Sequence, residues 1–442
     1  MTALLVYMPF HIFLSQSLSL ITGGLSIWKV AKDVILCGLI ILALALVCKE
    51  RAIKPVLKKL VMLSVVYGVI HLLVWAINPH IYRQTAFEGV VYNNRVLLYA
   101  VFACAALVLH TPADAGRKLV KLTLVVSTLV CLLGLLQYVL PKDLPTHFGY
   151  SVARGVKPNF FIDDKLDFPR IMSTLRDPNS LGAYTILPLC LLYGMFVGAS
   201  KDRRRQLSIA ALAALHATAL FLTFSRGAWA GAIVAFVAAA WLMRPGKLVI
   251  TKQASVVLAC AVVVLSGAAF ALRHQHTVEN VLLHSDQTTK APQDSNGLHA
   301  SFAIKSLKKA IQKPLGHGPG TAGIVSIRNP EGGQLTENYY IQLLYEVGFL
   351  GLAVFVTAAV FICNQLRKSD SLLARGLLAS FIAYSVMGML MHIWSNEAVA
   401  AQWWLLAGAC LALSSLPKPA TLADRNTRRP VVHQKRVNLS RR

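Results

Sequence analysis

Apolar runs long enough to cross a bilayer follow one another along this chain, from ALLVYMPFHIFLSQSLSLITGGL near the start to the stretch around 398–416. About 20 helical residues cross the roughly 30 Å hydrocarbon core, so the pattern predicts a polytopic integral membrane protein. The runs are apolar on every face instead of alternating, which selects helices over a barrel. An all-α bundle of about twelve transmembrane helices is expected, near 4–24, 33–48, 60–77, 93–112, 119–140, 181–199, 207–223, 228–243, 250–272, 338–363, 376–393 and 398–416. The first run has neither a basic leading region nor a small-residue cleavage signal, and is expected to stay as a span. Residues 1–416 read as one membrane domain and 417–442 as a basic cytoplasmic tail without fixed structure.

The formal net charge of +25 is distributed by side. Loops near 49–59, 113–121, 200–206, 244–252 and 364–375, together with the tail, carry roughly 26 basic and 5 acidic residues; the other side carries roughly 18 and 14. The positive-inside rule then puts both termini in the cytoplasm. On this reading the basic excess is topology and not a nucleic-acid surface, and KDRRRQ (Lys201 to Gln206) anchors near anionic lipid. All eight cysteines fall within or at the ends of expected spans, without CxxC spacing, so neither a disulfide framework nor a zinc site is expected.

Two loops on the outer side are far longer than the others, at about 141–180 and 273–337, and long loops in compact proteins often carry function. The first contains Arg154, Arg170 and Arg176, and its RDPNSLG reads as a turn followed by a helix start, with Asp177 and Asn179 as capping or turn residues. In the second, Phe302, Ile304, Leu307 and Ile311 alternate with Lys305, Lys308, Lys309 and Lys313 as in a helix lying on a membrane surface. Pro314 ends that helix, and GHGPG, containing His317, is a tight turn without the strand-and-helix setting of a nucleotide loop.

Three charged positions call for explanation. Arg226, in FLTFSRGAWAG, lies at the outer end of a short loop, where the positive-inside rule does not favour it. It reads either as a snorkelling anchor, with Gly227 and Gly231 serving helix packing, or as a bidentate phosphate ligand. In TENYYIQLLYEVGFLGL, Glu337 stands at the outer boundary, where Thr336 or Glu337 could cap the helix. Glu346 falls inside the bilayer and must face protein or a water-filled cavity. Asn338 and Tyr339 suit either sugar hydroxyls or the interfacial aromatic belt, and IWSNEAV adds Asn396 and Glu397 to the same side.

Taken together, FSRGAWAG, RIMSTLRDPNSLGAY, KPLGHGPGTAG and ENYYIQLLYEVGFLGL resemble the bacterial O-antigen ligase and polymerase superfamily, and NNRVLLY with Arg95 is similar to an earlier element of it. The resemblance covers most of residues 25 to 415. It implies a metal-independent, cofactor-free glycosyltransferase with a GT-C-like fold in the bacterial inner membrane, its active site facing the periplasm. The donor would be an oligosaccharide on undecaprenyl pyrophosphate, and the acceptor a hydroxyl of a lipid-linked repeat unit or of lipid A core. Membrane lipids, a chain-length regulator and a flippase are the partners that such an enzyme would meet. Glu337 is the implied proton acceptor and Arg226 the implied pyrophosphate ligand. Arg176, Arg170, Arg154, Arg95, Asn338, Tyr339 and His317 are the candidate substrate contacts. Ligases of the superfamily typically carry a histidine where this chain has Glu337, which leans toward a polymerase; the alternative is a ligase or protein O-oligosaccharyltransferase of the same superfamily, differing in acceptor. A secondary transporter is the reading from another class, and it predicts repeat symmetry and charges at the membrane midplane.

Overall fold

The computed structural model describes residues 1–51, 54–112, 114–162, 165–199, 201–243, 295–330 and 332–415, with side chains for all of these except 165–167 and 295–300. Among the described residues, nine helices are long and apolar enough to span a membrane. They are α1 (Thr2–Thr22), α2 (Leu25–Lys49), α3 (Pro55–Ala76), α4 (Arg83–Leu109), α5 (Ala115–Val139), α6 (Pro178–Gly198), α7 (Arg203–Leu222), and, after two intervening helices, α10 (Tyr339–Leu366) and α12 (Glu397–Ser414). Shorter apolar helices α8 (Arg226–Leu242) and α11 (Leu372–Met387) complete the bundle, and α9 (Ser295–Gln312) precedes α10. Eleven of the twelve expected spans thus correspond to a helix, and the one expected at 250–272 lies outside the described residues.

Burial orders these helices by position. In α12, 89% of the apolar window is buried, with Trp403 and Trp404 fully enclosed, so the least hydropathic span is the hub. α2 and α7 are peripheral and turn Val34, Ile35, Ile41, Leu207 and Phe221 outward, as a hydrocarbon solvent permits. The helix of α1 changes to a 3-10 turn at Met8–Phe10, where Pro9 removes a donor.

The segment between α5 and α6 is not simply a loop. It folds a two-stranded antiparallel hairpin, β1 (Phe160–Ile162) with β2 (Lys165–Arg170), an exception to the all-α expectation. Arg154 ties the same segment to α1: its Nε donates to Gln16 Oε1 at 3.0 Å, and its Nη2 donates to the Gln16 carbonyl at 2.9 Å and to Ser19 Oγ.

The segment between α9 and α10 is anchored in a break of α10. Gly348 leaves the helix with φ 67°, which frees the carbonyls of the preceding turn. The glycine-rich turn takes them over: the amides of His317 and Gly318 donate to Tyr345 and Glu346, while the amide of Phe349 donates to Pro314. A Cβ on Gly348 would stand 2.2 Å from the Pro314 carbonyl oxygen, and one on Gly316 would stand 2.5 Å from that of Glu346. On its other side the turn meets α4 backbone to backbone, since a Cβ on Gly89 would fall 2.1 Å from the Gly320 nitrogen. α9 docks through Ser306 and Ala310, leaving Ile304, Leu307 and Ile311 exposed.

Gly348→Ala is therefore expected to destabilise the protein, through a strained positive φ and a backbone clash at once, by about 2–4 kcal/mol. Melting in detergent checks this against Gly38→Ala on α2, where a Cβ meets no atom within 4 Å and no loss is expected.

Candidate functional site

Three helix N-termini converge on a cavity of about 310 Å³ at one end of the bundle. Each is made by a side-chain cap: Asp177 accepts from the Ser180 amide for α6 (2.8 Å), Asn338 from Ile341 for α10 (2.9 Å), and Asn396 from Val399 for α12 (3.4 Å). Asp177, Asn179, Ser180, Asn396, Glu397 and Glu337 reach the cavity wall from these starts, with Tyr92 of α4 and Ile324 and Ile327 closing other sides. The amide ends of helices carry partial positive charge, so the wall favours an anion before any side chain is counted.

The cap of α10 decides how Glu337 is used. Asn338 takes the capping role that Thr336 or Glu337 was expected to fill, and its Nδ2 also donates to the Met389 carbonyl at 3.0 Å. Glu337 is held in the left-handed region, φ 49°, and lines the cavity beside His392. A non-glycine residue in that region is uncommon and costs energy that the surrounding fold must supply. Arg176 lines the cavity too, and among the described residues it makes no hydrogen bond or ion pair. The Glu337 carboxylate and the Arg176 guanidinium are thus brought from distant parts of the chain onto one wall.

The other candidates are placed around this wall. Arg170, at the end of β2, donates from Nε to the Thr223 carbonyl (2.8 Å) and from Nη2 to Asn179 Oδ1 (3.0 Å), so it braces both the turn before Arg226 and a wall residue. Arg226 opens α8 at this end, after the Ser225 cap, and is not among the wall residues. Its neighbours pack as a small-residue motif should: Gly227 and Gly231 face Met391 and Met387 of the α11 side, and Met391 is itself on the wall. Arg154 holds the first long segment to α1, away from the cavity. Tyr339 is 1% exposed and packs edge-on to Phe355, which makes it a core residue. His317 stacks on the Tyr345 ring at 3.9 Å within the glycine-rich turn; burial and the nearby Lys313 and Lys309 charges pull its pKa below the usual histidine value.

Arg95 lies behind the wall. It is 1% exposed, donates from Nη1 to Glu397 Oε1 and from Nη2 to the Ser395 carbonyl, both at 2.8 Å, and stacks its guanidinium 3.9 Å above the Tyr92 ring. Lys32 also reaches Glu397 (3.4 Å) while pairing with Asp33 (3.0 Å). His11 completes the group: its Nδ1 lies 2.8 Å from the Tyr7 hydroxyl and its Nε2 lies 3.4 Å from Glu397 Oε2. Two cations, Arg95 and Lys32, balance two carboxylates, Glu397 and Asp33, as buried charge in a membrane bundle requires. Sequence reasoning missed Lys32, Asp33, His11 and His392. The available signal was an adjacent Lys-Asp pair early in an otherwise apolar run, because α2 begins at Leu25 and not near 33.

Glu346, the carboxylate expected inside the bilayer, faces protein. Its oxygens accept from Asn93 Nδ2 (2.6 Å), the Gly320 amide (3.0 Å) and the Ala322 amide (3.1 Å), so it supports the glycine-rich turn from below.

Residues 209–356 match a family model, Wzy_C, described as O-Antigen ligase. The matched segment runs from α7 into α10 and contains Arg226, His317, Glu337 and Glu346; Arg95, Arg154, Arg170 and Arg176 precede it. No curated protein matches the chain.

Removing Arg95 leaves the Glu397 carboxylate beside one cation fewer and takes away its 2.8 Å donor. Arg95→Ala is expected to cost about 3–5 kcal/mol of stability, read as a lower melting temperature in detergent. Arg95→Lys is expected to recover only part, because a single ammonium cannot serve Glu397, the Ser395 carbonyl and the Tyr92 face together.

Proposed function

We propose that this member of the O-antigen ligase/polymerase superfamily is a polymerase of lipid-linked surface polysaccharide, O-antigen or exopolysaccharide. It transfers glycan from undecaprenyl pyrophosphate to an acceptor sugar hydroxyl on the periplasmic face of the bacterial inner membrane. The observation that carries this reading is the shared wall of Glu337 and Arg176, with Glu337 released from capping by Asn338 and ringed by helix N-termini.

The chemistry assigned to the wall is an inverting displacement on a GT-C-like scaffold. The acceptor oxygen bonds to the anomeric carbon as the bond from that carbon to the pyrophosphate oxygen breaks. Glu337 accepts the hydroxyl proton, and the leaving electron pair stays on the pyrophosphate. Arg176 meets the charge that develops there, aided by the helix N-termini, with Arg226 as the second cation at the mouth and Arg170 keeping Asn179 and the turn before Arg226 in place. The glutamate at 337, where ligases of the superfamily typically carry histidine, favours a lipid-linked repeat unit as acceptor.

Purified protein given an undecaprenyl-pyrophosphate oligosaccharide, with and without lipid A core, tests the assignment. Long lipid-linked chains formed without the core are expected; core-dependent transfer would instead make the protein a ligase. Glu337→Gln and Arg226→Ala are each expected to lower product by at least about a hundredfold while melting like the parent. Unchanged turnover in the glutamine variant would remove Glu337 from the reaction.

A further inference from the structure

The cavity wall holds a histidine that the proposed displacement does not use. His392 lies in the turn between α11 and the Ile393–Ser395 3-10 turn, among Glu337, Met391 and Ser395 on the wall. Both of its ring nitrogens are buried, and neither has a hydrogen-bond partner among the described residues. The histidines inside the bundle are different. His216 meets Ser127 Oγ at 2.9 Å and the Leu212 carbonyl at 2.8 Å, His71 meets the Tyr67 carbonyl at 2.8 Å, and His11 meets Tyr7 and Glu397. A packing histidine in this fold therefore finds a partner on its own or a neighbouring helix, whereas His392 keeps both nitrogens for something that enters the cavity.

The state of the ring narrows what that is. Burial pulls its pKa down to about 4, against the opposing pull of the Glu337 charge, so at neutral pH it is an uncharged imidazole with one N–H donor and one lone pair. A phosphate prefers the cations, and Arg176 is on the same wall for it. A sugar hydroxyl, which donates and accepts, matches the neutral ring.

We propose that His392 and Glu337 form the acceptor-hydroxyl subsite: the imidazole binds sugar hydroxyls next to the reacting one, and Glu337 takes the reacting one. The proposal rests on the glycosyl-transfer reading. His392 is a binding residue in it, with the proton going to Glu337.

Ligand-induced melting shifts of the full-length protein in detergent separate this from the reading it rests on. The probes are an undecaprenyl-pyrophosphate oligosaccharide, its sugar-free undecaprenyl pyrophosphate, and inorganic pyrophosphate. In His392→Phe, apparent affinity for the oligosaccharide lipid is expected to fall about tenfold, while the two sugar-free probes bind as in the parent. His392→Gln, which keeps a donor and an acceptor, is expected to recover most of the loss and serves if the phenylalanine variant fails to fold. Equal oligosaccharide binding by parent and His392→Phe, or equal loss for all three probes, overturns the subsite. A parent that binds the oligosaccharide through His392 but transfers nothing would leave the subsite standing and remove the enzymatic reading.

Discussion

The carboxylate of Glu346 is the tie on which this end of the molecule depends. It sits where α10 breaks, fully enclosed, and draws three donors from two other parts of the chain. Without the break, the turn amides of His317 and Gly318 would have no helix carbonyls to meet; without the carboxylate, those of Gly320 and Ala322 would be buried and bare. Because α10 begins at the Asn338 cap, the same tie fixes the height at which Glu337 leaves the helix for the cavity.

α4 serves two such ties at once. Asn93 reaches Glu346 of α10, and Arg95, two residues on and pointing to another side of the helix, reaches Glu397 of α12. Two polar residues of NNRVLLY, Asn93 and Arg95, thus tie α4 to α10 and α12, the helices whose N-termini bring Glu337 and Glu397 to the wall. Lys32 of α2 and His11 of α1 close the second tie, so polar groups from four helices define one corner of the cavity. Burying that much charge is costly, and the return is geometric: few arrangements pair Arg95 and Lys32 with Glu397 and Asp33 at once.

Hydropathy made the bundle legible, because a span must be apolar for its whole length. It erred where helices continue beyond the hydrocarbon or carry paired charge. α4 starts ten residues before the expected 93, since RQTAFEGVVY is polar yet helical, and α2 starts eight residues before the expected 33, so the Lys32–Asp33 pair lies within it. The β1–β2 hairpin was invisible because NFFIDDKLDFPR has no clean alternation, and the break at Gly348 because YEVGFLG reads as uninterrupted apolar helix. At the wall, Glu337 and Arg176 were readable from their motifs, and the structure brings them together. Arg95, Tyr339 and Arg154 came from equally suggestive motifs, but Arg95 and Arg154 are held by residues far away in sequence and Tyr339 packs into the core, none of which the chain alone displays. His392 was missed because a histidine at the end of an apolar helix gives no sign of whether a carbonyl or a cavity awaits it.

The two flanks of the cavity differ in mechanical character. On the glycine-turn flank, α4 and the turn meet main chain to main chain at Gly89 and Gly320, leaving no side chains to rearrange. On the α8 flank, the layer between helices is Met387 and Met391, unbranched side chains with three rotatable bonds each. Compliance is therefore one-sided. A change of side-chain volume is expected to be absorbed at the methionine layer, where side chains can turn aside, and refused at the glycine seam, where any added carbon meets main chain.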